Sequence, residues 1–128
     1  MMVSVSSFSA DYQKGLDAFN RGDYQAALRE WGPLAEQGNP DAQFNLGFLY
    51  AEGRGVAQSD DEAAKWYLVA AGQGHVESQY FLGIMYAKGR GVAQNDTKAV
   101  WWFRKASQQG NSFGQAALGV MYQCRTKL

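Results

Sequence analysis

A single cysteine, Cys124, leaves no partner for an internal disulfide, and a single histidine, His75, rules out a multi-histidine metal centre. No apolar run reaches the ~18 residues that a membrane-spanning helix needs. Twelve basic and twelve acidic residues give a formal net charge of +0, which argues against nucleic acid as the main partner. Residues 1–10 have neither a cationic stretch nor a continuous apolar core, so they do not spell an intact export signal. Ser7-Phe8-Ser9-Ala10 does have the small-x-small form of a cleavage site. A disordered tail is the first expectation for this segment and a signal remnant the second. Cytoplasmic and exported locations both stay open.

What the chain does have is repetition. Leu46-Gly47-Phe48-Leu49-Tyr50-Ala51-Glu52-Gly53-Arg54-Gly55-Val56 returns as Leu82-Gly83-Ile84-Met85-Tyr86-Ala87-Lys88-Gly89-Arg90-Gly91-Val92, and again in part as Leu118-Gly119-Val120-Met121-Tyr122. The offset is 36 residues each time, and Trp66-Tyr67 and Trp102-Phe103 keep it too. A period of this size marks a repeat array in which each unit buries its apolar face against its neighbours. Net charge also divides along the array: residues 1–64 carry ten acids and four bases, residues 65–128 two acids and eight bases. In a quasi-linear stack that split is an electric dipole along the axis.

Residues 11–38 read as a variant first repeat, with a helix from Tyr12 to Asn20 and a second through Ala27, Leu28, Trp31 and Leu34. Its connecting loop is shorter by about five residues, and Pro33 predicts a kink or a 3₁₀ turn. Residues 39–74 and 75–110 are full repeats and 111–128 a half repeat. First helices are predicted near 40–51, 76–87 and 112–123, and second helices near 60–73 and 96–109. Ala42, Leu46, Gly47 and Tyr50, with their equivalents Ser78, Leu82, Gly83 and Tyr86 and Gly114, Leu118, Gly119 and Tyr122, form the expected core stripe. A helix-interior glycine costs ~1 kcal/mol against alanine, so its return implies close helix–helix approach at Gly47, Gly83 and Gly119. Ala63, Trp66, Tyr67, Ala70 and Ala71, then Ala99, Trp102, Phe103 and Ala106, are expected to be buried on the second helices. Val56 and Val92 are expected to plug the hairpin ends. Ser59 and Glu62 spell a capping box.

Ala42, Leu46-Gly47, Tyr50, Gly53-Arg54-Gly55-Val56, Asp60, Ala63, Trp66, Ala70-Ala71 and Gly74 together resemble the pattern of the Sel1-like repeat (SLR) family. The next copy matches with Ser78 and Ala106-Ser107 as departures. The resemblance covers residues 39–122 strongly and 11–38 weakly. It implies an all-α, right-handed superhelical solenoid of antiparallel helix pairs, about seven helices here, related to the tetratricopeptide solenoids. It further implies an adaptor for proteins or peptides without cofactor or general catalytic activity. A minority of cysteine-rich members are linked to β-lactam binding or hydrolysis. This chain lacks their paired cysteines and any S-x-x-K.

Gly110-Asn111-Ser112-Phe113-Gly114 spells a nucleophile elbow, but that motif needs a preceding strand, and Lys105 to Gln109 reads as helix. Asp60-Asp61-Glu62 suits a solvated helix N-terminus as well as a cation site. His75 takes the turn position of Asn39, and Asn95-Asp96-Thr97 reads as a helix cap. The apolar residues off the core stripe carry more information. Phe44 and Phe48, Tyr80 and Ile84, and then Ala116 and Val120 lie opposite that stripe. First helices line the concave side in the architecture the resemblance implies. These residues therefore either form a groove edged by Asn45, Glu52, Phe81 and Lys88, or pack between neighbouring first helices. Trp101 falls on the outward side of its helix as a separate contact point. Three function classes follow: a scaffold holding a protein or extended peptide in the concave groove, a module that self-associates weakly head to tail, and, remotely, a β-lactam-directed protein.

Overall fold

The computed structural model describes residues 10–126, with side chains as far as Cys124. The expectations for residues 1–9 lie outside the described residues. Among the described residues seven helices follow one another: α1 (Tyr12–Asn20), α2 (Tyr24–Glu36), α3 (Pro40–Glu52), α4 (Asp60–Gly72), α5 (Val76–Lys88), α6 (Asp96–Gln108) and α7 (Ser112–Thr126). There is no strand among the described residues. Each helix packs chiefly on the helix before and after it in the chain, which is the contact pattern of a solenoid.

From α2 onward each helix start has a side-chain cap at the repeat's own register. Asn39, His75 and Asn111 accept the amide hydrogens of Ala42, Ser78 and Gly114 at the heads of α3, α5 and α7. Asp23, Ser59 and Asn95 do the same for α2, α4 and α6. A side-chain acceptor satisfies one of the orphan N–H groups of a first turn. Only half of the predicted capping box forms. The Ser59 N–H donates to the carbonyl of Tyr50 instead of to Glu62, whose carboxylate pairs with Lys65 at 3.2 Å.

Two further departures are local. Of the kink or 3₁₀ turn expected at Pro33, the 3₁₀ turn is absent, since α2 runs as α-helix through it. The α1–α2 connection, residues 21–23, is four residues shorter than its counterpart at 53–59, not five.

Packing rests on a ring seated on a glycine. A Cβ at Gly47 would lie 2.7 Å from Tyr67 Cδ1, and one at Gly83 2.6 Å from Phe103 Cδ1. The Trp31 ring covers Gly15 in the same way. The ring is thus carried by the second aromatic of each Trp-aromatic pair. Trp66 and Trp102, expected in the core, are half-buried against its flank. Gly119 corrects the expectation for the third copy, because among the described residues nothing lies within 4 Å of a Cβ there. Tyr122 is exposed, since no further second helix covers that side of α7 among the described residues.

A row of carboxamides ties the units together. Gln43 Nε2 donates to the carbonyl of Ala35 (3.0 Å), and Gln73 Nε2 donates to Gln43 Oε1 (2.7 Å). One repeat on, Gln79 donates to Ala71 O (3.2 Å) and Gln109 to Gln79 Oε1 (2.9 Å). Gln43 and Gln79 are buried, so these partners remove what would otherwise be unsatisfied polar groups. The 36-residue spacing of these glutamines is legible in the chain, but a search for apolar periodicity passes over them.

Candidate partner-binding groove

Equivalent positions on successive first helices form a row: Leu16 on α1, Phe48 on α3, Ile84 on α5 and Val120 on α7. Two cavities lie along this row and share Phe48 and Phe81. One, of about 230 Å³, is lined by Leu16, Phe19, Trp31, Phe44, Asn45, Phe48 and Phe81. The other, of about 140 Å³, is lined by Phe48, Ala51, Glu52, Tyr67, Phe81, Ile84, Met85 and Arg90. Together they make one apolar trough across three repeats.

Of the side chains singled out in the sequence, Phe44, Asn45, Phe48, Glu52, Phe81 and Ile84 are brought together here. Phe44 also answers the packing alternative. It stacks on His75 (centroids 5.0 Å) and leans on Tyr67 and Phe81 (both 5.7 Å), so it joins neighbouring repeats while lining the trough. Asn45 Nδ2 donates to the Tyr12 hydroxyl at 3.0 Å, which fixes that edge to α1. The structure does not bring the other four to the trough. Tyr80 is wedged among the rings of Phe81, Phe103 and Phe113. Lys88 is exposed in the last turn of α5, where a cation suits the helix dipole. Val120 continues the row and is 57% exposed. Trp101 is 48% exposed on α6, with the Lys105 ammonium 4.9 Å from its ring centre.

The rim is charged. Arg54 lies 5.4 Å from the Tyr24 ring centre and 5.6 Å from that of Phe48, and donates to the Tyr24 hydroxyl at 3.3 Å. Arg90 is held by Asp60 at 3.1 Å and 3.3 Å. Sequence reasoning read these arginines only as loop residues between glycines, yet each reaches back to the first residue of the second helix one repeat earlier.

Burial pushes the Tyr67 phenol above its ordinary pKa, and the Glu52 carboxylate adds to the shift. The unfolded chain then loses this proton near pH 10 while the folded one keeps it, so stability is full below about pH 10 and falls as pH rises further. The melting temperature of the wild type is expected to drop more steeply than that of Tyr67→Phe between pH 10 and 12, by up to about 1.4 kcal/mol of stability per pH unit. Parallel alkaline melting curves for the two proteins would contradict this.

One hydrogen-bond chain has the spacing of a catalytic relay. Ser78 Oγ is 3.0 Å from His75 Nδ1, and His75 Nε2 is 3.0 Å from Asp41 Oδ1. Ser78, however, is fully buried (0% exposed), and His75 Nδ1 accepts the Ser78 N–H as the cap of α5. The arrangement is a helix cap that no substrate can reach. Ser112 opens α7 directly after α6, so the elbow spelling has no strand before it. The described residues contain no group of three His, Cys, Asp or Glu side chains that could hold a metal ion. No helix among them is long and apolar enough to cross a membrane.

Seven consecutive helices among the described residues, the last six on a 36-residue register, with rings seated on glycines, define an α/α repeat solenoid. The Sel1 repeat model matches residues 40–75 and 76–111, and the chain belongs to the Sel1 repeat family. Members of this family are commonly protein-interaction modules and are generally non-catalytic scaffolds. Among solved structures, a Sel1 repeat protein from Oxalobacter formigenes is 34% identical, with a TM-score of 0.83 over 87% of this chain and 46% of that one. A protective antigen of uropathogenic Escherichia coli with an SLR fold is 36% identical, with a TM-score of 0.80 over 86% of this chain and 24% of that one. Helicobacter pylori cysteine-rich protein B shares the fold at 24% identity, with a TM-score of 0.75 over 81% of this chain and 80% of that one. The chain therefore spans under half the length of the first structure and about a quarter of the second.

Proposed function

We propose that this chain is a non-catalytic scaffold that holds an extended peptide or protein segment in the concave trough along Leu16, Phe48 and Ile84. The observation that supports this most is the joining of two apolar cavities through Phe48 and Phe81. A continuous apolar trough offers successive side-chain pockets, and the rim charges Glu52, Arg54 and Arg90 orient the ligand. Phe48 and Ile84 are half-buried, so they have surface left to give to a partner.

The test begins with capture from the native host and mass spectrometry, which names a partner. Phe48→Ala combined with Ile84→Ala is then expected to weaken binding about 30-fold or more, as loss of a central apolar anchor does. The double variant should still melt cooperatively. Unchanged affinity would reject the trough, and collapse of the fold would make the two side chains structural.

A further inference from the structure

Of the rings seated on helix glycines, Tyr67 alone carries a polar group that the stack leaves unused. Trp31 Nε1 donates to the Tyr12 carbonyl at 3.2 Å, and the Phe103 ring has no polar atom. Tyr67 is 2% exposed, yet its hydroxyl makes no hydrogen bond among the described residues. No side-chain oxygen or nitrogen among them is both sealed and without a partner, so this hydroxyl opens on the cavity of about 140 Å³ that Tyr67 lines. Packing does not need the oxygen, since Phe103 fills the equivalent seat without one.

The walls of this cavity come from α3, α4, α5 and the loop after α5, all inside the described stack. A single water needs on the order of 10–15 Å³ of such space, so the cavity takes a whole side chain. Phe48, Ala51, Phe81, Ile84 and Met85 make it apolar. Of its two charged residues, Arg90 is already paired with Asp60 at 3.1 Å and 3.3 Å. The Glu52 side chain has no ion pair or hydrogen bond among the described residues, and its carboxylate is close enough to help raise the Tyr67 pKa. One repeat on, the positions of Tyr67 and Glu52 hold Phe103 and Lys88. Hydroxyl and carboxylate are thus present together in one copy and absent together from the next.

An apolar cavity with an unpaired carboxylate and an unused hydroxyl suits a cation on a hydrocarbon stem. We propose that it is a lysine-selective subsite of the trough. The four-carbon stem lies along Phe48, Ile84 and Met85, and the ammonium donates to the Glu52 carboxylate and the Tyr67 hydroxyl oxygen. Aromatic walls favour the same charge. A carboxylate would be repelled by Glu52, and a wholly apolar side chain would leave the hydroxyl unpaired. Residues 1–9 of this chain contain no lysine to offer. The lysine belongs to the extended ligand proposed above, and the inference rests on that reading.

The probes are n-butylammonium, n-butanol and pentanoate, which share the lysine stem and differ in the head group. Methyl proton–carbon correlation spectra of the whole chain should show Ile84 and Met85 shifting on titration with n-butylammonium, with a Kd below about 20 mM. n-Butanol should bind at least about fivefold more weakly, and pentanoate more weakly still. Glu52→Gln should remove the preference for ammonium over alcohol, and Tyr67→Phe should weaken both at least about threefold. Glu52 is exposed, so its variant keeps the fold and decides alone if Tyr67→Phe does not. No shift up to about 50 mM n-butylammonium overturns the proposal. So does equal or tighter binding of butanol or pentanoate, or a preference that survives Glu52→Gln. A captured partner that needs Phe48 and Ile84 but binds Glu52→Gln undiminished leaves the trough in place and overturns only the lysine subsite. A wild type that sediments as a dimer, with Glu52→Gln a monomer, would make a second copy the occupant and overturn it too.

Discussion

Gly83→Leu is expected to lower the urea midpoint, although leucine is the better helix former. The propensity gain is at most ~1 kcal/mol. Against it, even the first added carbon would stand 2.6 Å from Phe103 Cδ1 and Cε1 and 3.1 Å from Cζ. Phe103 is itself buried, with Ala99 and Ala106 packed on the same helix, so its ring has nowhere to retreat. Overpacking of this kind costs ~1–3 kcal/mol or more, and the added isobutyl group puts this case at the upper end. The matched control is Gly119→Leu, the same change at the same repeat position, with no neighbour to strike among the described residues. It should leave the midpoint level or raise it. A Gly83→Leu midpoint at or above that of the wild type would remove the ring-on-glycine account of the stack.

Gly91→Ala is expected to be the more damaging of two loop substitutions that look alike in sequence. Gly89 and Gly91 both have left-handed backbone, with φ of 69° and 72°. Either alanine therefore pays a conformational cost of about 1–2 kcal/mol. At Gly89 the neighbour is Gln94, whose Cβ would be 3.1 Å away. At Gly91 the new carbon would fall on the Asp60 carbonyl, with its carbon atom at 2.7 Å and Ala64 Cβ at 3.1 Å. These atoms belong to the first five residues of α4, backbone and a Cβ that cannot swing aside. The loop would have to lift away and would disturb the Arg90–Asp60 pair that ties it to α4. Denaturant midpoints should place Gly91→Ala at least about 1 kcal/mol below Gly89→Ala. Equal midpoints would mean that the loop does not press on α4.

The helix ends were readable because what sets them is local. Caps such as Asn39, Ser59 and Asn95, and the left-handed C-caps Gly53 and Gly89, act within a few residues. The predicted spans accordingly agree with the observed helices to within a residue for α3 to α6. His75 as a cap was readable by the same logic of register.

Other features depended on which neighbour a side chain meets. Nothing local separates Trp66 from Tyr67 as the ring that seats on Gly47. The direction of α4 against α3 decides it, and places tyrosine in the socket and tryptophan on the flank. Phe44 lines a cavity and also touches Tyr67, His75 and Phe81, so at this residue lining the trough and packing between repeats do not exclude one another. Tyr80 sits at the equivalent position, yet is taken up by Phe103 and Phe113 instead of by the trough.

The sequence by itself determined the 36-residue period, and with it the solenoid, the helix ends and the class of protein, because repetition and capping are carried by the chain's own local chemistry. Only the tertiary structure decided what each repeated position does. Gly47, Gly83 and Gly119 are the same residue in the same motif, but two are sockets filled by rings and one is open among the described residues. Burial is a property of a residue together with what stands against it, and in a stack what stands against it changes from one repeat to the next.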